Sequence, residues 1–203
     1  MNSKGHTYHL VIRAVFIALI ALQTMIPMLG YIPLGFTSLT IIHITVIVAG
    51  IMLGPIDGMF VGFVWGILTV FRAFTSPTSP IDTIVFTNPI VSVIPRVLVG
   101  LVAAISFRLV YKYVHKVGVA SIVGAILGTL TNTILVVALM GTLYTSTMTK
   151  TYNVPSTKIL ELMGSIIVSN GIPELIGAII ITPLIIKALV SATHILPWRA
   201  GQQ

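Results

Sequence analysis

The chain has 203 residues, 56% of them hydrophobic and only 7% charged, with a mean hydropathy of +1.09 and no cysteine. A soluble domain carries roughly 25% charged residues, so this composition excludes one and points to an integral membrane protein, while the lack of cysteine excludes disulfides and thiol chemistry. The net charge of +7, from 11 Lys and Arg against 4 Asp and Glu, reads in such a chain as membrane topology before nucleic-acid binding.

The first apolar run long enough to cross a ~30 Å hydrocarbon core covers residues 10–29, broken by Pro27 and the turn signals Gly30, Pro33 and Gly35. No small-residue cleavage site follows it and the chain stays apolar, so this span is expected to be a retained helix rather than a signal peptide. Residues 39–71 are too many for one helix and are interrupted at Leu53-Gly-Pro-Ile-Asp-Gly58, which predicts a helical hairpin with arms 39–54 and 58–71. At 1.5 Å per residue these arms reach only about 24 and 21 Å, so they are expected to borrow turn residues or to sit in thinned bilayer. Further spans are predicted at 88–111, 118–143 and 164–190. The sum is a single all-α membrane domain over 1–203, six transmembrane helices in a compact bundle, with the Thr/Ser-rich connection 142–163 as an outer lid.

Six spans place both termini on one side. That side carries Lys4, Arg13, Arg108, Lys112, Lys116, Lys187 and Arg199, against Arg72, Lys150 and Lys158 on the other, so the termini are expected in the cytoplasm.

Catalytic motifs are missing from the sequence. There is no phosphate-binding loop, zinc-protease motif or nucleophile elbow, so the chain is not expected to hydrolyse ATP, and no cofactor is implied. His6, His9, His43, His115 and His194 are scattered and form no ligand-spaced pair with a carboxylate, so no metal site is expected. Only Glu174 lies clearly inside a span, too little for a carboxylate proton relay.

Depth sorts the remaining polar residues. Arg96 falls about 12 Å below the outer end of its helix, Glu174 at a similar depth, and Asn132 roughly 10 Å from the outer surface. Asn88, Asn170, Gln23 and Thr24 fall at or above that layer, with His43 and Arg72 near outer helix ends. The inner half has nothing comparable, which predicts a pocket open to the outside and closed below, since a channel needs polar lining through its depth. Pro95 and Pro173 each free a carbonyl one turn earlier, next to Arg96 and Glu174. Two uses of this layer stay open: Arg96 and Glu174 pair with each other, or they contact a ligand. Arg96 with Arg72 at the rim favours a small monocarboxylate, because guanidinium grips carboxylate in bidentate fashion. Amide and hydroxyl groups nearby suit a ligand with hydroxyls and an amide, and the shortage of tryptophan, with only Trp65 in a span and Trp198 at the inner interface, argues against a large flat ring. The candidate binding residues are therefore Arg96, Asn88, Asn132, Asn170, Glu174 and Arg72.

Small residues recur at helix-packing spacing: Gly58, Gly62 and Gly66, then Gly124 and Gly128, and on the first helix Ala14, Ala18 and Ala21. The glycines read as contacts within the bundle. The alanine face serves equally for a bundle contact or a partner, and a chain with a pocket but no energy-coupling motif needs a partner to move substrate uphill.

Taken together, the Arg-led first helix with Ala14-x-x-x-Ala18, Leu53-Gly-Pro-Ile-Asp-Gly58 followed by Gly62 and Gly66, Ser76-Pro-Thr-Ser-Pro80 through Asn88-Pro-Ile-Val-Ser-Val-Ile-Pro-Arg96, and Asn170-Gly-Ile-Pro-Glu174 resemble the S components of energy-coupling factor (ECF) vitamin transporters. The resemblance implies a six-helix monomer in a bacterial plasma membrane. It implies capture of a vitamin outside, docking through the small face of helix one onto a membrane coupling protein with two cytoplasmic ATPases, and toppling in the bilayer to release cargo. The Asn88 to Arg96 segment is most similar to the pantothenate-specific members. Folate and hydroxymethylpyrimidine are the next candidates, and thiamine is disfavoured by the lack of a tryptophan-rich site. A stand-alone secondary transporter is the alternative class, and an intramembrane enzyme a distant third.

Overall fold

The computed structural model describes residues 3–26, 28–33, 38–77, 82–193 and 197. Pro27, Gly35, Thr78, Ser79, Pro80, His194, Trp198 and Arg199 lie outside the described residues, as do the side chains of Lys4, His6, His9 and Pro33.

Uninterrupted apolar runs fold as helices: α1 (Ser3–Met25), α2 (Ile42–Leu53), α3 (Pro55–Thr75), α4 (Pro89–Val114) and α5 (Val117–Leu143). The breaks fall where backbone chemistry puts them. Gly54, at φ 109, turns α2 directly into α3 in a conformation that costs glycine little. Pro55 then opens α3, where its missing N–H is no loss. Because the turn takes one residue, α3 begins at Pro55 rather than Gly58 and runs 21 residues, about 31 Å. By contrast α2 has 12 residues, about 18 Å. Ten of them are buried, so most of its surface meets neighbouring helices rather than lipid.

Between α1 and α2 the chain forms a small antiparallel hairpin, β1 (Tyr31–Pro33) and β2 (Ser38–Thr40), with Tyr31 opposite Thr40. The helical bundle thus carries one sheet element where only a turn is expected from sequence. The stretch 142–163 is also more ordered than a loop: it contains α6 (Thr145–Thr151), a 3-10 turn at Ser156–Lys158 and the start of α7 (Ile159–Ile166). From there a π-turn at Ile167–Gly171 leads into α8 (Ile172–Thr193). Among the described residues four helical stretches, 156–193 among them, are long and apolar enough to cross a membrane, and 10–25 and 42–53 are shorter apolar helices.

Glycines decide how closely the helices pack. A Cβ on Gly58 would stand 2.7 Å from Gly50 Cα and 2.9 Å from the Gly100 carbonyl oxygen, and one on Gly66 2.7 Å from Val93 Cα. Gly62, between them, abuts the Arg96 backbone. Lipid offers no hydrophobic drive for helices to associate, so van der Waals contact at this distance holds α3 on α4. The same logic applies on α5, where Gly128 lies against Ile47 and Gly124 against Ala103. Two buried apolar clusters result. One fills the bundle around Ile20, Ile47, Trp65, Phe107 and Ile186; the other gathers Val85, Val91, Val137, Met140, Met148 and Leu162 at the end built by α6 and α7. Phe60, Phe63, Ile67, Phe71 and Phe74 are exposed along α3, as expected of a helix face turned to acyl chains.

Candidate ligand-binding site

A proline inside α4 sets up the central group. Pro95 has no N–H to donate to the Val91 carbonyl, and the Arg96 guanidinium takes its place, donating from Nη1 to Val91 O at 2.8 Å. Pro95 thus releases a carbonyl that a neighbouring side chain uses. The guanidinium carbon stands 5.0 Å from the ring centres of both Trp65 and Phe86, within cation–π range. Trp65 Nε1 donates to the Tyr31 hydroxyl at 3.2 Å, and that hydroxyl lies 3.2 Å from Thr69 Oγ1. One buried chain of contacts therefore ties the β1–β2 hairpin to α3 beside Arg96.

Opposite stands Glu174, whose Oε1 accepts the Thr40 backbone N–H at 2.6 Å. Arg96 and Glu174 face one cavity without pairing with each other: the arginine is engaged by Val91 and two rings, the glutamate by β2. The cavity has a volume of about 70 Å³, room for about five water centres at roughly 10–15 Å³ each. Its polar lining comes from Tyr31, Thr40, Thr69, Asp82, Arg96, Asn132, Thr133, Asn170 and Glu174, and Phe86, Val136, Val137, Met140 and Ile166 supply the apolar wall.

Of the residues the sequence nominates, Arg96, Asn132, Asn170 and Glu174 meet at this cavity. Gly171, in the π-turn before α8, lets that segment approach α5, since a Cβ there would press to 2.9 Å from Thr133 Cγ2. The other two are placed behind it. Asn88 caps α4 by accepting from Ile90 N–H at 2.9 Å and donates to the Tyr144 hydroxyl at 3.0 Å, fastening α4 to the start of α6. Arg72 is buried, donates to Asp82 Oδ2 at 3.0 Å and stacks 3.9 Å over the Tyr31 ring. Gln23 and Thr24 are used within the bundle: Gln23 accepts from Thr45 at 2.9 Å, and Thr24 donates to Ile20 O at 2.7 Å. His43 is fully buried in α2, with neither ring nitrogen hydrogen-bonded.

Tyr31, Thr40, Thr69, Asp82, Phe86 and Thr133 escape sequence reasoning. For two of them a signal exists: Thr69 is one turn beyond Trp65, and Thr133 adjoins Asn132 with Val136 one turn on, all on cavity-facing sides. Tyr31 and Thr40 arrive on the β1–β2 hairpin, and Asp82 and Phe86 on a short π-helical segment, Asp82–Phe86, both too short for periodicity to mark which side chain turns inward.

Inside the cavity several polar atoms lack partners. Arg96 Nε, Asn132 Oδ1 and Thr133 Oγ1 are buried without a hydrogen bond. Such atoms cost free energy unless something pairs with them. A ligand with an anionic acceptor for Arg96 and N–H or O–H donors for α5 supplies what is missing. On α1, Ala14 and Ala18 are exposed and Ala21 half-buried, while Phe16, Ile20 and Thr24 point into the bundle. Arg13, next to them, pairs with Asp57 in the first turn of α3.

A family model described as "ECF transporter, substrate-specific component" matches residues 9–186. The chain is 37% identical to the pantothenate transporter PanT of Leuconostoc mesenteroides, with 98% of each chain covered. It is 32% identical to the pantothenic acid transporter PanT of Lactococcus lactis subsp. cremoris, over 76% of this chain and 79% of that one. With a family match spanning most of its length and relatives this similar, the chain belongs to the substrate-specific component family of ECF transporters.

Proposed function

We propose that this protein is the pantothenate-capturing subunit of an ATP-driven ECF importer. The observation that carries the ligand assignment is the polarity of the cavity: a buried guanidinium with an unpartnered Nε on one side, and unpartnered acceptor atoms on Asn132 and Thr133 on the other. Pantothenate is a monoanion with two hydroxyls and an amide, so its carboxylate meets Arg96 and its donors meet Asn132, Thr133, Asn170 and Glu174. The names of both relatives support the same ligand. Asn88 and Arg72 act from behind this first layer of contacts.

Six membrane crossings, with the seven-to-three distribution of Lys and Arg, put both termini in the cytoplasm of a bacterial cell and the cavity toward the outside. The buried apolar cluster that includes Ile47, Ile51, Val61 and Phe107 supports a pocket with no polar path through the bundle. Release to the inside then requires the whole subunit to reorient, driven by a membrane coupling protein and two cytoplasmic ATPases. The exposed Ala14 and Ala18 face of α1 supplies the docking surface, because small residues let a partner helix approach closely.

Calorimetry of the detergent-purified chain against pantothenate, folate, hydroxymethylpyrimidine and thiamine tests the assignment. The expected result is one-to-one, nanomolar binding of pantothenate alone. Binding of another vitamin in its place overturns the ligand. Proton- or sodium-driven flux in liposomes holding only this chain overturns the subunit role in favour of a stand-alone transporter.

A further inference from the structure

An anion-binding cavity that exposes two carboxylates, Asp82 and Glu174, has an electrostatic difficulty. Like charges a few ångströms apart in a poorly screened site repel, which works against the grip of Arg96 on an anion. The structure contains a group positioned to remove one of them. Arg72 lies 3.0 Å from Asp82 Oδ2, its side chain 4% and that of Asp82 3% exposed, and solvent therefore screens the pair little. Asp82 lines the cavity and Arg72 does not. The guanidinium is held in place from above by the Tyr31 ring at 3.9 Å, and Tyr31 is itself fixed by Trp65 and Thr69.

We propose that Arg72 determines the charge specificity of the pocket without touching the ligand: by neutralising Asp82, it allows the cavity to accept a carboxylate. Arg72 is thus a positioning and specificity residue, and the direct grip on the anion belongs to Arg96. The proposal rests on the reading of this cavity as the pantothenate site.

The test measures Kd for pantothenate and for pantothenol, the same molecule with the carboxylate replaced by an alcohol, in the full-length protein. Arg72→Gln leaves Asp82 charged and facing the ligand, so pantothenate affinity falls about tenfold or more while pantothenol affinity changes less than about threefold. Arg72→Gln combined with Asp82→Asn removes both charges and restores pantothenate affinity to within about threefold of the parent. Asp82→Asn alone removes a carboxylate from the cavity wall and raises pantothenate affinity about threefold or more; a fall in affinity overturns the proposal. If the double variant stays as weak as Arg72→Gln, Arg72 contacts the carboxylate directly and the proposal is wrong. If both ligands weaken together, Arg72 only braces the mouth of the cavity and the proposal is also wrong. Should Arg72→Gln fail to fold, the double variant and Asp82→Asn still decide, because both lack an unpaired buried anion. Failure of the parent protein to bind pantothenate refutes the underlying ligand assignment instead, a result distinct from either of the others.

Discussion

Replacing Arg96 separates a site built around an anion from one that merely encloses a small polar molecule. The side chain is 3% exposed and spends one donor, Nη1, on Val91 O. Its Nε is unpartnered, which leaves part of the guanidinium fork for a ligand. Truncating one member of a buried, hydrogen-bonded charge pair costs about 2–5 kcal/mol, which corresponds to about 30-fold to several-thousand-fold in Kd. Arg96→Ala is therefore expected to weaken pantothenate by at least about a hundredfold. Arg96→Lys keeps the charge and its contact with the Trp65 and Phe86 rings but loses the planar fork, so an intermediate loss of about tenfold is expected. Pantothenol has no carboxylate to lose, and its affinity moves far less in either variant.

The assay is calorimetry on detergent-purified protein, paired with a thermal melt. Arg96→Ala strips the Val91 carbonyl of its partner, at a cost of about 1–3 kcal/mol, so a modest drop in melting temperature is part of the expectation and does not itself explain lost binding. Pantothenate binding within threefold of the parent by a folded Arg96→Ala protein refutes the assignment of Arg96 as the anion site.

Three further outcomes follow from the packing. Gly62→Ala would put a methyl 2.8 Å from the Arg96 carbonyl carbon and 3.2 Å from Val97 Cα, so α4 must shift; a stability loss of about 1–3 kcal/mol with weakened pantothenate binding is expected, whereas Gly177→Ala, with nothing within 4 Å, should change neither melting nor Kd. Asn132→Leu removes an unpartnered acceptor from the cavity wall and should weaken pantothenate about tenfold, consistent with a hydrogen bond of about 1.5 kcal/mol; unchanged affinity returns Asn132 to packing. Ala14→Trp with Ala18→Trp should leave Kd intact, since both residues are exposed on α1 away from the cavity, yet block uptake by cells carrying the assembled transporter; normal uptake removes the docking face.

What sequence made legible was whatever depends on position along one helix. Counting residues from helix ends gives Arg96, Asn132 and Glu174 a common depth, and all three line the same cavity. The proline rule foresees a free carbonyl beside Arg96, and Val91 O is that carbonyl. What remained illegible depends on segments with no period. Nothing local shows that residues 31–33 and 38–40 pair as strands or that Asp82 turns toward the cavity. Arg72 illustrates the limit: its place near the end of α3 is readable from the sequence, whereas its partner comes from ten residues along the chain through a connection no pattern predicts. The aromatic surroundings are likewise illegible, because tryptophan content alone misses Tyr31, on β1, and Phe86, at the end of the π-helical segment Asp82–Phe86, which reach the arginines.

The scarcity of anions sharpens how the ligand should lie. The chain has four acidic residues, and each has a distinct setting. Asp57 holds Arg13 against α3, and Glu161 is exposed beside Lys158. The remaining two, Asp82 and Glu174, line the cavity, an expensive place for charge in a membrane protein. With Asp82 matched by Arg72, the cavity is left with one cation and one anion on opposite walls. A carboxylate has its one favourable end at Arg96, since the wall around Glu174 offers it no cation. Glu174 has committed Oε1 to the Thr40 N–H, so its second oxygen is the acceptor that a hydroxyl at the far end of the ligand would seek. The same contact holds β2, so a ligand engaging Glu174 bears directly on the group that anchors the hairpin over the site. On the proposed pantothenate assignment, charge placement directs the carboxylate to Arg96 and the hydroxyl end toward Glu174 and the hairpin.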